Sequence, residues 1–251
     1  MKKNFKKVNA AILIIGNEIL SGRTEEKNVK FIANWLNEKV GIYVSEVRVI
    51  PDIKKKIISD ILELSKSYTY VFTTGGIGPT HDDITAESIA RAFKSKYEFN
   101  KKAYKILENY YGKDNFNDGR KKMAKMPSGS KLILNPSSAA PGFIKKNVFC
   151  LPGVPSILNS MIDNCKRYLK KGAKTYSKTI NTLTVESNIS KEMSKIQKKF
   201  RKTVDIGSYP FFRLGRVGVS IVLRSVIKKD LKTSFYELKK TLLAKKIKLL
   251  N

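Results

Sequence analysis

The chain is poor in the residues that staple, ligate and acidify. Among its 251 residues are two cysteines, one histidine and one tryptophan, and 21 Asp and Glu stand against 50 Lys and Arg. Cys150 and Cys165 are too few for a disulfide framework in a chain this long, and they lack the paired spacing of metal-binding thiols. A reducing, cytoplasmic setting is therefore expected. His81 has no second histidine or cysteine placed to share a metal. Long hydrophobic runs are missing too: stretches such as Ala10–Ile15 fall far short of the roughly 20 residues that span a bilayer, so no membrane partner is expected. Lys2, Lys3, Lys6 and Lys7 precede the first apolar stretch, but that stretch ends in Gly16-Asn17-Glu18 with no small-residue cleavage site, so no secretory signal is expected.

What is abundant is lysine. A formal charge of +29 ordinarily raises nucleic-acid binding, because clustered Lys and Arg neutralise phosphates and release counterions. Here the lysines occur in nearly every segment alongside many Asn and Ile, as codon bias in an AT-rich genome produces. A backbone clamp of the Gly-x-x-Gly type between two helices is also lacking, since Gly215-Arg216-Val217-Gly218 has that spacing between strands. Nucleic acid is set aside as a partner, and a small phosphorylated ligand is the expectation.

Short apolar runs alternate with helical spacing through the first half, which predicts a largely parallel sheet covered by helices. Val8–Ile15, Ile42–Ile50 and Tyr68–Thr73 read as strands. Gly16–Arg23 reads as a loop, Thr24 as the cap of a helix ended by Gly41, and Asp52 as the cap of a second helix with Ile53, Ile57, Ile61 and Leu64 inside. Lys54, Lys55 and Lys56 read as solvated. Phe99–Met126 reads as helical, charged and peripheral. Lys131–Leu134, Gly142–Ile144 and Val148–Leu151 read as short strands before a helix reaching about Lys170. A first domain over 1–170 and a small βαββα domain over 175–251 follow.

The strongest local signal is Thr74-Gly75-Gly76-Ile77-Gly78-Pro79-Thr80-His81-Asp82-Asp83, between a buried strand and a marked helix start. Gly75, Gly76 and Gly78 leave the backbone open, so successive N–H groups can converge on an anion. Thr85 reads as the N-cap of the next helix, with Glu87 near its positive end. Asp82 and Asp83 are two adjacent carboxylates suited to Mg²⁺ bridging to phosphate. One is expected on the metal or ligand and the other orienting it or capping the helix. The segment is neither a Walker A loop nor a spaced dinucleotide fingerprint. Three more loops fall at strand ends of the same sheet, where open α/β sheets bind ligands. They hold Asn17, Glu18 and Ser21; Ser138 with Gly142; and Pro152 with Gly153.

Taken together, Gly16–Gly22 with Asn28, Thr74–Glu87, Ala140–Phe143 and Leu151–Pro155 resemble the MoaB/Mog molybdopterin-binding family. Within it, the likeness is to the N-terminal domain of CinA proteins and the corresponding domain of FAD synthases. The resemblance implies a three-layer αβα sandwich with a mostly parallel sheet, followed by the small α+β domain of CinA. It implies molybdopterin or a nucleotide as ligand, a divalent metal (Mg²⁺, Co²⁺ or Mn²⁺) and a dimer or trimer. It implies hydrolysis of a nucleotide pyrophosphate, ADP-ribose or FAD; a binding module without catalysis and a molybdopterin adenylyltransferase stay open beside it. Gly75, Gly76, Gly78 and Thr80 would then hold phosphate, Asp82 and Asp83 would serve metal and catalysis, and Glu18, Ser21 and Asn28 would line the site. Two departures matter. The amidohydrolase domain of full CinA proteins is absent from this sequence, so nicotinamide-mononucleotide deamidation is not expected, and Ile157 stands where CinA proteins usually carry a glutamate.

Overall fold

The computed structural model describes residues 8–213 and 215–250; the basic N-terminal residues Lys2, Lys3, Lys6 and Lys7 lie outside them. Strand β1 (Asn9–Ile15) buries every residue after Asn9, as a strand without a polar face must. The segment expected to be a loop then makes a short helical turn, α1 (Asn17–Leu20). Helix α2 (Asn28–Trp35) follows. Its cap is not Thr24: the Glu26 carboxylate accepts the Asn28 and Val29 N–H groups at 2.8 and 3.0 Å, bringing a full negative charge to the positive helix end. The helix widens into a π turn at Leu36–Val40 and stops at Gly41, whose φ of 77° suits glycine.

Strand β2 (Tyr43–Ile50) leads to α3 (Lys54–Ser67). Asp52 does not cap α3; it turns toward α1 and accepts the Asn17 N–H at 2.8 Å. Ile53 is exposed, which leaves Ile57, Ile61 and Leu64 as the buried stripe. Two of the lysines expected to be merely solvated are paired, Lys54 with Glu87 at 2.9 Å and Lys56 with Asp60 at 2.7 Å.

Strand β3 (Tyr70–Thr74) and helix α4 (Thr85–Ala92) flank the glycine turn. The stretch expected to be helical, with breaks at Gly112 and Asn117-Asp118-Gly119, carries helices bounded at those breaks, α5 (Lys101–Tyr111) and α6 (Asp118–Lys122), on a two-stranded arm in which β4 (Tyr97–Phe99) is antiparallel to β5 (Lys125–Pro127). Asn100 and Asn117 cap those helices. The arm joins the core through Ala103, Leu107, Phe116, Ala124 and Met126. After it come β6 (Lys131–Ile133), β7 (Gly142–Lys145), β8 (Val148–Leu151) and α7 (Pro155–Met161), the last running into a 3₁₀ segment, Ile162–Tyr168.

The sheet order is β2-β1-β3-β8-β7-β6. The first four strands are mutually parallel, and β7 runs antiparallel to both neighbours. Alternation along β1 feeds two cores: Ala11, Leu13 and Ile15 pack with Ile57, Ile61 and Ile89, while Ala10, Ile12 and Ile14 pack with Ile32, Leu36 and Leu158. Phe72 stacks on Phe149 at 4.8 Å inside the second core. This is the expected three-layer αβα sandwich with a mostly parallel sheet. Because β1, β3 and β8 are parallel, the loops after Ile15, Thr74 and Leu151 emerge on one side.

The chain divides after Gly172 into a second compact unit. It contains β9 (Tyr176–Thr182), α8 (Ser190–Phe200), β10 (Asp205–Arg213), β11 (Arg216–Ser225), α9 (Lys228–Ala244) and β12 (Leu249–Leu250). The sheet order is β10-β11-β9-β12, antiparallel throughout. Its own core gathers Ile180, Ile196, Val219, Ile221, Leu223 and Leu238. The βαββα order is as expected, with a two-residue β12 added. Gly215 has φ of 70° between β10 and β11, and Gly218 lies within β11. Among the described residues no helix is long and apolar enough to cross a membrane.

Candidate functional site

The glycine turn is held at both ends and open in the middle. The Gly75 N–H donates to the Leu151 carbonyl at 3.2 Å, and the Gly76 carbonyl accepts the Thr85 N–H at 3.0 Å. Gly75 and Gly76 have φ of 97° and 66°, and a Cβ on Gly75 would lie 2.1 Å from the Ile15 carbonyl oxygen. Between these ties, the N–H groups of Gly76, Ile77 and Gly78 have no hydrogen-bond partner among the described residues. Three successive unpaired N–H donors are the kind of group that can bind an anion when they converge on it. Thr85 is the first helical residue, not the cap. Ile84 takes the cap position without a side-chain bond, and the Thr85 hydroxyl is buried against Gly76 without a partner.

A cavity of about 530 Å³ opens beside this turn, within the roughly 300–1,000 Å³ of small-molecule sites. Gly75, Gly76, Gly78 and Asp83 line it together with Glu18, Asn28, Ser138, Pro152 and Gly153. Asn17, Ser21, Thr80, Asp82 and Gly142 are outside the lining. The Asn17 N–H is bound to Asp52, and the Ser21 hydroxyl donates to the Glu18 carbonyl at 3.2 Å. Gly142 lies in β7, where a Cβ would meet the Cys150 carbonyl oxygen at 2.5 Å, so its lack of a side chain serves strand packing. Asn28 donates through Nδ2 to the Gly153 carbonyl at 2.7 Å, fixing that loop against α2.

Several residues of the site escaped the sequence reading. Asn135, which is buried, braces the loop carrying Ser138: its Oδ1 accepts the Ser137 and Ser138 N–H groups, and its Nδ2 donates to the Ser138 hydroxyl and the Ala140 carbonyl. An Asn followed by Pro-Ser-Ser is a turn signal that carries this information. Met123 lines the cavity and Lys122 donates to the Thr80 carbonyl, both from the arm thought peripheral. No local pattern marks them.

Carboxylates dominate the charge of the site. Asp83 Oδ2 accepts the Thr80 N–H at 2.8 Å and the Thr80 hydroxyl at 2.5 Å, which aims it beside Gly78. The Asp82 carboxyl is held below the ordinary Asp range, first by the Thr80 hydroxyl and also by the charges of His81 and Lys122. Asp52 moves the other way: burial raises it most, and the charges of Glu18, Asp82 and Asp83 add to that against the Asn17 hydrogen bond. Among the described residues no three His, Cys, Asp or Glu side chains converge as a metal site. One carboxylate in the wall beside unpaired phosphate donors fits a hard cation that arrives bound to phosphates, since Mg²⁺ usually takes one or two protein carboxylates and completes its shell with phosphate and water. Burial pushes both cysteine thiols up to about 12, so neither is a thiolate nucleophile at neutral pH.

With this geometry in hand, residues 11–171 match the model of a probable molybdopterin binding domain. The chain belongs to that family. Residues 174–250 match the middle domain of FAD synthase. A protein of Archaeoglobus fulgidus is 33% identical over 199 residues, covering 79% of this chain and 84% of its own. A CinA-like protein of Sulfurihydrogenibium sp. is 36% identical over 180 residues, covering 65% of this chain and 45% of its own. A probable FAD synthase of Caenorhabditis elegans is 31% identical over 226 residues, covering 80% and 43%. The match thus spans less than half of the latter two relatives. Among solved structures, a CinA protein of unknown function from Thermoplasma acidophilum is 31% identical with a TM-score of 0.60, over 64% of this chain and 99% of that one. The molybdopterin-binding-type domain and its CinA-like relationship therefore coincide with the αβα sandwich and its cavity.

Proposed function

We propose that this molybdopterin-binding-type domain hydrolyses the pyrophosphate of a nucleotide such as ADP-ribose or FAD, with a divalent cation bound alongside the ligand. The observation that carries the reading is the run of unpaired N–H groups at Gly76, Ile77 and Gly78, three residues that line a nucleotide-sized cavity together with Asp83. Those donors hold phosphate oxygens where negative charge accumulates in the transition state. Asp83 would hold the cation, its carboxylate kept aimed by Thr80. Asp82, outside the lining, supports this segment through charge. When bound, the cation neutralises phosphate and supplies an acidified water. Water adds to one phosphorus and the bridging P–O bond breaks, so that AMP leaves together with ribose 5-phosphate from ADP-ribose or with FMN from FAD. Ile14, Ile15, Ile19 and Met123 give the heterocycle an apolar wall.

A second reading is a molybdopterin or nucleotide binding module without catalysis, favoured by the family description and by Ile157, which puts an aliphatic group in the cavity wall. The two separate in one assay. Incubated with ADP-ribose or FAD and Mg²⁺ or Co²⁺, the protein is expected to release AMP, and Asp83→Ala to lower the rate about 100-fold or more with folding intact. Tight ligand binding with no AMP release would leave the binding module.

A further inference from the structure

Phosphate bound over Gly76, Ile77 and Gly78 enters a wall that already carries the carboxylates of Glu18, Glu25, Glu26 and Asp83. Among the described residues the one cation in that wall is Lys27, and its ammonium is paired with Glu25 at 2.9 Å. A cation on Asp83 offsets part of a diphosphate's charge. The remainder calls for a positive group on the Gly78 side, because like charge brought into a partly enclosed site is poorly screened.

Lys122 is that group. It ends α6, and its Nζ donates to the carbonyl of Thr80, two residues beyond Gly78. A small recess lined by Lys122 shares Ile77, Gly78, Asp83, Met123 and Pro141 with the main cavity. Among the described residues no carboxylate forms an ion pair with the Lys122 ammonium; its charge acts on Asp82 only from a distance, which leaves the ammonium free to take a closer anion. The other lysine of the recess, Lys125, has its ammonium 4.7 Å from the Phe99 ring centre. A neutral carbonyl is a weak partner for an ammonium beside an anion site; a phosphate oxygen is a stronger one.

We propose that Lys122 is a phosphate-binding residue of this cavity, moving from the Thr80 carbonyl to an oxygen of the ligand's second phosphate and making the site prefer a nucleoside diphosphate to a monophosphate. This rests on the phosphate site proposed above, and not on hydrolysis there. The arm from β4 to β5 thereby becomes part of the site. The alternative is a lysine that only fastens α6 to the turn.

Calorimetric titration of the full chain with ADP-ribose and with AMP, in Mg²⁺, decides between them. Lys122→Met is expected to bind ADP-ribose about tenfold more weakly, about 1.4 kcal/mol, and AMP within about twofold of wild type. Lys122→Arg keeps the charge and most of the affinity, and Lys105→Met, which removes an exposed charge from α5, changes neither. If Lys122→Met fails to fold, Lys122→Gln takes its place. Unchanged ADP-ribose affinity, an equal loss for both ligands, or no ADP-ribose binding by the wild type overturns the proposal. AMP release measured in the same samples keeps the two readings apart. Lys122-dependent binding without AMP release removes hydrolysis alone, and AMP release that is indifferent to Lys122 removes this role alone.

Discussion

Gly75 and Gly22 both have positive φ, 97° and 70°, yet their surroundings differ. A Cβ on Gly75 would meet the Ile15 carbonyl oxygen at 2.1 Å, a backbone atom at the end of β1, whereas a Cβ on Gly22 meets nothing within 4 Å. Gly22→Ala is therefore expected to cost about 1 kcal/mol, the conformational part alone, and Gly75→Ala about 3 kcal/mol or more, because the turn must also shift. Urea midpoints compare them; equal losses would remove the steric argument. Asp52 gives a pH-dependent counterpart. Its carboxyl is raised in the folded state by burial first and by Glu18, Asp82 and Asp83 as well, so its charged form opposes folding. The stability it supplies is complete below the unfolded Asp value and is lost as pH rises through the raised folded one. Asp52→Asn, which can still accept from Asn17, is expected to stabilise the metal-free protein at about pH 7 by less than about 1 kcal/mol. The gain should vanish near pH 3. A gain that persists in acid would mean that charge is not its source.

Between elements, the strongest polar tie is Arg48, which fastens β2 to α3. Its guanidinium donates to Asp60 and Glu63 on α3 and to Glu46 on its own strand, each with a contact of 2.5 Å. Asp60 is fully buried, and Lys56 is its other cation. Removing one partner of a buried pair strands the other, so Arg48→Met is expected to lose about 3 kcal/mol by chemical denaturation; a loss under about 1 kcal/mol would mean that Lys56 suffices. Glu46 is held low by the Tyr68 hydroxyl and Arg48, and Glu63 by Arg48. Their contribution is present above the ordinary Glu range and is lost as pH falls through the lowered values, so Arg48→Met should flatten the acid side of the stability curve. At this scale the limits of reading sequence alone are plain. The apolar strands, the glycine turn and the three other loops were legible, because missing polar faces and missing Cβ atoms are local facts. Asp52 was not, since its partner Asn17 is brought to it by tertiary packing; Glu26 caps through the N–H groups two and three residues ahead, but glutamate is a less usual cap than the nearby Thr24. The two strands of the arm were not legible either, because β4 and β5 have three residues each, too few for period-2 alternation to compete with the charged helices between them. Thr85 matched the N-cap pattern, but the Gly76 carbonyl claimed its N–H and moved the helix start.

Across the molecule, the apolar clusters do not mix. Both faces of the six-stranded sheet are buried by residues before Gly172, and the four-stranded sheet has a core built wholly from residues after it. Every residue lining the cavity belongs to the first unit. A ligand stabilises whatever unfolds together with its site, by about 2.7 kcal/mol at a concentration 100 times its dissociation constant. Two heat-absorption transitions are therefore expected in calorimetry of the full chain. ADP-ribose with Mg²⁺ should move one of them upward by about 5–10 °C, at 2–4 °C per kcal/mol for a unit of this size, and leave the other within about 1 °C. The moved transition is identified by Gly75→Ala, which should lower the same one. If ligand and substitution shifted both transitions equally, the two cores would have to be energetically coupled, and the cavity could no longer be treated as the property of the αβα sandwich alone.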